Sequence, residues 1–408
     1  MKHLGIKLSL FLNYFVFAIL LNSVGIVILK SINNYNVAES AASVLEAFKD
    51  LPIAIVSFAV ASFLPRIGYK KAMLAGLAMV TVGCVLMYFG NSFDTAKLLF
   101  AIVGAAFALI KVSVYSVIGL VTDDTKGHNS LMSSIEGVFM IGIALAYFLF
   151  PAFNTEGEPD AWLNVYWLLA ILSAISFVIL LFTKFENTEQ IIGTDAGEDF
   201  AAMFKLLLKM LTIVFVISAF LFVMIEQGIM SWLPTFNNKV LGLSENIGIM
   251  MASILALSLA AGRLLAGVLT QRISWIYVLL GCTIIAMLSV VFILPKTVGI
   301  NVEEVTKFSD IPLIAFAFPL VGLFIAPIYP LLNSVVLSAL PKRLHSQMTG
   351  LIVIFSALGG TFGSRIIGHL FETQGPENAF YFTLIPMTML LVFYFILKRL
   401  TEKNAVQG

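Results

Sequence analysis

Long apolar runs separated by short polar stretches dominate the chain. A helix needs about 20 predominantly apolar residues to cross the hydrocarbon core of a bilayer. Runs of that kind predict spans at approximately Leu8–Leu29, Ser43–Pro65, Ala72–Phe89, Thr95–Val121, Leu131–Phe153 and Leu163–Thr183. A second set follows at approximately Met210–Leu233, Ile247–Thr270, Trp275–Leu294, Ile311–Leu340, Met348–Phe371 and Ala379–Leu397. Barrel strands are short and alternate in polarity, whereas these runs are long and uniformly apolar. The pattern predicts an all-α polytopic membrane protein with twelve transmembrane helices. The first run is longer than a signal-peptide core and lacks a small-residue cleavage site, so it reads as the first span.

One internal stretch is polar enough and long enough to be a linker, Lys184 to Lys209. It divides the chain into an N-terminal six-helix bundle (1–183), a linker (184–209) and a C-terminal six-helix bundle (210–408). The segment Glu186–Asp199 is acidic and reads as solvated chain. Phe200–Lys209 carries apolar residues at helical spacing and reads either as a frayed helix or as one lying on the membrane surface.

Composition narrows the class. Of 408 residues, 60% are hydrophobic and 12% charged, against about 25% charged in a soluble domain, and mean hydropathy is +1.00. A soluble enzyme, a nucleic-acid binder and a disordered chain are all excluded. A net charge of +1 offers no basic surface for nucleic acid. Cys84 and Cys282 both sit in apolar runs, which indicates neither a disulfide framework nor a metal site, and no cofactor is called for.

Most lysines and arginines fall on one face if both termini are cytoplasmic. The opposite face receives Lys30, Lys97, Lys239, Lys296 and Lys307, together with acidic clusters around Glu158 and Glu303. The expected location is the cell's inner (plasma) membrane. The halves also echo each other. Lys126-Gly-His128-Asn-Ser130 between spans four and five parallels Lys342-Arg343-Leu-His345-Ser346 between spans ten and eleven. Arg66-Ile67-Gly68-Tyr69-Lys70-Lys71 likewise parallels Arg272-Ile273-Ser274-Trp275. Matches at equivalent places in a six-plus-six layout indicate a duplicated unit, as transporters have.

On these features the chain resembles the major facilitator superfamily over its whole length. The family's loop after span two reads roughly Gly-x-Leu-Ala-Asp-Arg-x-Gly-Arg-Lys. Here Arg66, Gly68, Lys70 and Lys71 match it, while Pro65 stands where the acid would be. In the second half Gly262-Arg263, Gly267 and Gln271-Arg272 resemble the matching motif. The resemblance implies two pseudo-symmetric six-helix bundles, with Arg263, Gly267 and Arg272 in conformational loop roles alongside the first-half set. The Glu226-to-Pro234 stretch and the proline-rich Ala326–Pro330 further resemble the fucose-permease-like group of proton-coupled sugar symporters. That group carries a carboxylate in span one, where this chain has Asn13 and Asn22.

Charges at membrane depth are costly and become functional candidates by default. In span two, Lys49 lies one turn from Glu46, which lies one turn from Asp50. Two carboxylates sharing one ammonium leave one suited to carry a proton, although the cluster also reads as an interfacial ion group. Lys111 in span four lies too deep to reach the surface, and its nearest counter-charge by chain order is Glu136 in span five. Those four acids and bases of spans two and five, Glu46, Lys49, Asp50 and Glu136, form the proton-coupling set. Asn22, Lys111, Glu226 and Arg365 form the substrate-binding set, in which Arg365 reads equally as a forked clamp for a carboxylate or phosphate and as a partner for Glu226 across the second half.

These features predict a secondary active transporter working by rocker-switch alternating access. The expected cargo is a small polar organic solute, a sugar or organic anion, moved by proton-coupled symport. A proton-coupled exporter of amphipathic compounds is the alternative. The expected partners are that solute, protons and the bilayer, without nucleic acid, and the expected state is a monomer. An intramembrane enzyme lacks a convincing nucleophile–base pair, since His369 has no partner in its segment. A channel lacks a filter segment, and no phosphate-binding loop is present.

Overall fold

A computed structural model describes residues 4–121, 125–155, 157–183, 203, 205–298, 311–341 and 344–407. Side chains at 60–66, 119–121, 125–129 and a few other positions fall outside that set. The predicted linker lies almost wholly outside the described residues. Of its end, Met203 and Leu206 are buried, and Met203 lies beside Gly350 of span eleven.

The fold is all-α, with no strand among the described residues beyond one isolated bridge, Thr155 to Glu158. Eleven described segments are long and apolar enough to cross a membrane. The helix at Val44–Ile67 makes a twelfth by length, and its 24 residues extend roughly 36 Å. Charged residues open it, which lowers its apolarity without shortening it.

Several spans depart from simple rods. Span one is two helices, Leu4–Asn22 and Val24–Tyr35. At the break, the Ser23 hydroxyl donates to the Leu20 carbonyl at 2.8 Å, the local competition by which serine interrupts helices. Span seven runs Met210–Lys239 and continues past Pro234, six residues beyond the run predicted from hydropathy. Span ten is fragmented into Leu313–Ala317, Phe318–Leu320, Val321–Ile325 and Ile328–Ser338. Pro319, Pro327 and Pro330 each remove a backbone donor there. The remaining spans are Tyr69–Gly90, Phe93–Val121, Thr125–Ala152, Asn164–Phe182, Glu245–Leu269, Trp275–Phe292, His345–Thr373 and Leu384–Gln407. Gly68, at φ +89°, reverses the chain between spans two and three, a conformation that residues with a Cβ resist.

Large apolar side chains such as Ile55, Phe89, Ile141, Leu264 and Phe292 face outward, as lipid-facing positions require. Inside, helices approach closely where glycine permits it. A Cβ on Gly359 would strike the Phe220 carbonyl, and one on Gly363 the Met224 carbonyl, so span eleven lies directly on the span-seven backbone.

Polar contacts joining the halves cluster at one end of the molecule, the end away from Thr183 and Met210, here called the distal end. Lys30 pairs with Glu245 and bonds Asn154 at 2.9 Å. Lys239 pairs with Glu39. Asn154 bonds Asn246, and Asn33 bonds Glu245 at 2.7 Å. Arg365 donates to the Ser40 carbonyl and, at 3.3 Å, to the Ser43 hydroxyl. The distal end is sealed.

Candidate functional site

Beneath the distal seal, a cavity of about 220 Å³ lies between the halves. Spans one, two, four, five, seven and eight line it. Its polar side chains are Asn22, Lys49, Asp50, Glu226, Gln227 and Arg263, and its apolar walls include Phe107, Phe139, Met140 and Met230.

Two charged groups meet there. The first is built by the opening turns of span two. Lys49 donates to Glu46, and its ammonium lies 3.4 Å from Asp50 Oδ1. Glu46 is fully buried, Lys49 and Asp50 nearly so. The second Glu46 oxygen accepts from the Ser231 hydroxyl of span seven at 2.7 Å. Asp50 packs its carboxylate on Gly360 of span eleven. Both carboxylates of this N-terminal-half cluster therefore rest on the C-terminal half. The second group lies within the C-terminal half, where Arg263 Nη2 donates to Glu226 Oε1 at 3.0 Å. The Arg263 side chain is 35% exposed, which leaves guanidinium donors facing the cavity.

Counting formal charges, Glu46, Asp50 and Glu226 oppose only Lys49 and Arg263. One carboxylate is in surplus, and a buried charge without a counter-charge is expensive. Asp50 is the carboxylate with the weaker hold on Lys49, and it lines the cavity, whereas Glu46 does not.

The structure redistributes several expected roles. Asn22 lines the cavity, its amide donating to the Ala18 carbonyl at 2.8 Å. Arg263, expected in a loop role, is the partner of Glu226. Arg365, expected either as that partner or as a solute clamp, is instead exposed at the distal seam, bonded to Ser40 and Ser43. Its helical position fixed its depth but not its direction. Lys111 and Glu136 do not form an ion pair. Glu136 accepts from the Tyr115 hydroxyl at 2.8 Å, while the Lys111 ammonium lies 5.7 Å over the Phe107 ring and 6.0 Å over that of Tyr115. Tyr115 follows Lys111 by one turn and takes the carboxylate first.

Among the loop residues, Lys70 donates to the Leu181 and Thr183 carbonyls at 2.9 and 2.8 Å, closing the C-terminus of span six. Lys71 and Arg272 are exposed, and Gly267 faces open space. The Arg66 side chain lies outside the described residues. Sequence reasoning missed Gln227, Ser231 and the seam residues Lys30, Glu39, Lys239 and Glu245. Ser231 lies five residues beyond Glu226 in the same polar stretch, the one signal that could have found it. Among the described residues no three His, Cys, Asp or Glu side chains converge as a metal site would require.

Comparison with known proteins accords with this fold. The chain covers 98% of its length on a bacterial homolog of the human lysosomal transporter Spinster, crystallised inward-facing and occupied. That likeness covers 97% of the other chain, at a TM-score of 0.78 and 14% identity. A D-xylose–proton symporter gives 0.73 at 15% identity, over 97% of both chains. FucP in its outward conformation gives 0.64 at 14% identity, over 97% of this chain and 99% of that one. Identities this low show the fold alone. In sequence, 106 residues are 27% identical to the multidrug efflux pump Tap of Mycolicibacterium fortuitum, and the match spans 26% of that relative's length. The family profile described as Major Facilitator Superfamily matches residues 8–302. With that profile covering well over half its length, the chain belongs to the Major Facilitator Superfamily.

Proposed function

We propose that this protein is a proton-coupled symporter of a small, polar, uncharged organic solute such as a sugar, working by alternating access. The observation that carries this reading is the cavity between the halves, where Asn22, Gln227 and two ion clusters with one surplus carboxylate converge. Its volume of about 220 Å³ falls below the roughly 300–1,000 Å³ of drug-sized sites. Carboxamides and a guanidinium edge supply hydrogen bonds to hydroxyl groups, and Phe107 and Phe139 supply flat apolar faces. A neutral solute entering with one proton leaves the site balanced, whereas an organic anion adds a negative charge to a site already rich in carboxylates. Asp50 serves as the proton carrier, Lys49 as the charge it shares with Glu46, and the Glu226–Arg263 pair as the solute clamp.

The lysine and arginine distribution supports a plasma-membrane orientation with the linker end in the cytoplasm. With its distal end sealed, the carrier is then closed to the outside. A second reading, export of amphipathic compounds in exchange for protons, draws on the partial likeness to an efflux pump and on the apolar share of the cavity wall. Uptake into proteoliposomes separates them. Symport predicts gradient-driven accumulation of a neutral sugar, and export predicts proton-driven expulsion of a cationic dye with no sugar accumulation.

A further inference from the structure

We propose that the Ser231 hydroxyl is what lets the distal seam close over an ionised Glu46, so that Ser231 stabilises the proton-free, distally closed carrier. This rests on the proton-coupled reading above. Any such carrier must release its proton at the linker end while the distal end stays shut, and in that state the span-two cluster holds two carboxylates against one ammonium.

The geometry concentrates that problem on Glu46. Its side chain is fully buried, and Lys49 serves one of its oxygens while also facing Asp50. The other oxygen has the Ser231 hydroxyl at 2.7 Å. Ser231 comes from the opposite half and is held at the seam. A Cβ on Gly25 of span one would lie 2.7 Å from the Ser231 carbonyl, so the two backbones meet there. The bond can therefore exist only while the halves are together at the distal end. When they part, water reaches Glu46 and replaces the hydroxyl. If they close without the hydroxyl, a carboxylate oxygen is buried without a partner, which is the costly case.

Other ionisable groups on the packed elements are placed differently. Lys97 of span four pairs with Asp94, and Arg365 of span eleven is bonded to Ser40 and Ser43. Lys30 of span one is taken by Glu245, and Glu226 of span seven by Arg263. Tyr147 of span five is buried. None of these pairs donates to the Glu46 oxygen that Ser231 serves. Acidification far enough to protonate Glu46 itself removes that charge, and the seam then closes without the hydroxyl.

Spin labels at the exposed distal residues Glu158 and Gln374, with Cys84 and Cys282 replaced, report the separation of the halves by pulsed electron resonance in nanodiscs without solute. At alkaline pH, Ser231→Ala is expected to shift the closed-to-open ratio toward open by about tenfold or more, the scale of a hydrogen bond to a charged group. Acidification restores closure, and Ser231→Thr stays near the unsubstituted ratio. In a Glu46→Gln background the same Ser231→Ala change moves the ratio less than about twofold, because the charge it serves is gone. An unshifted Ser231→Ala distribution at alkaline pH overturns the proposal, as does an equally large shift in the Glu46→Gln background, which would make Ser231 a packing residue. Gradient-driven uptake by the unsubstituted protein, measured alongside, keeps the two readings apart. If uptake is proton-driven and Ser231→Ala is silent, this proposal fails alone; if uptake ignores the gradient, the proton-coupled reading fails and takes the proposal with it.

Discussion

Lys49→Met is the perturbation that most directly probes how the span-two cluster is held. It removes the single ammonium serving two carboxylates, of which Glu46 is 0% and Asp50 7% exposed. Neither has another cation in an ion pair among the described residues. Removing one member of a buried pair costs on the order of 3–5 kcal/mol, a large part of the roughly 5–15 kcal/mol that holds a typical protein together. Lys49 is 5% exposed, so solvent screening does not discount the figure. The methionine fills nearly the same volume, which isolates the charge from packing. Neutralising all three residues, Glu46→Gln, Lys49→Met and Asp50→Asn, removes both the attraction and the burial penalty, and should recover stability to within about 1 kcal/mol. It should not recover transport. The assay is unfolding in mild detergent followed by tryptophan fluorescence, with uptake measured on the same preparations. A Lys49→Met protein as stable as the unsubstituted one, or a triple variant as unstable as Lys49→Met, refutes this account of the cluster.

Other expectations follow from the same structure. Glu226→Gln should abolish solute binding while changing stability by less than about 1 kcal/mol, because the arginine left without its partner is partly exposed; titration calorimetry against the transported solute and a melting curve check this together. Arg365→Gln should leave solute affinity unchanged, since that guanidinium lies at the seam, and equilibrium binding would expose an error. Gly363→Ala places a methyl against the Met224 carbonyl and should cost about 1–3 kcal/mol, read as a lowered unfolding midpoint. Lys70→Ala should cost roughly 0.5–1 kcal/mol through the lost span-six carbonyl contacts, while Lys71→Ala, at an exposed position, should cost nothing measurable.

Span existence was legible because twenty apolar residues in a row have few other uses, and the predicted starts of spans seven and nine, Met210 and Trp275, coincide with the helix starts observed. Breaks were less legible. Span ten reads as one run by hydropathy, yet three prolines divide it, and the Ser23 break depends on a hydroxyl choosing its own backbone. For the site, local spacing carried far. The Glu46–Lys49–Asp50 cluster follows from one helix's periodicity, and the structure assembles it so. Pairings between helices did not follow, because sequence gives a residue's depth but not its azimuth. Hence Glu226 meets Arg263 and not Arg365, and Tyr115 takes Glu136 from Lys111. The seam was invisible for a related reason: Lys30 and Lys239 read only as basic residues of the opposite face, nothing in the pattern singles out Glu39 and Glu245, and only the meeting of the halves makes them partners.

The most direct test of the central claim is uptake by the purified protein in liposomes, across a panel of neutral sugars, organic anions and cationic amphiphiles, with and without an inward proton gradient. Accumulation of a neutral sugar that the gradient stimulates, and that Asp50→Asn uncouples from it, is the predicted result. Gradient-stimulated accumulation that persists in Asp50→Asn, or no accumulation of any neutral solute by folded protein, would contradict it.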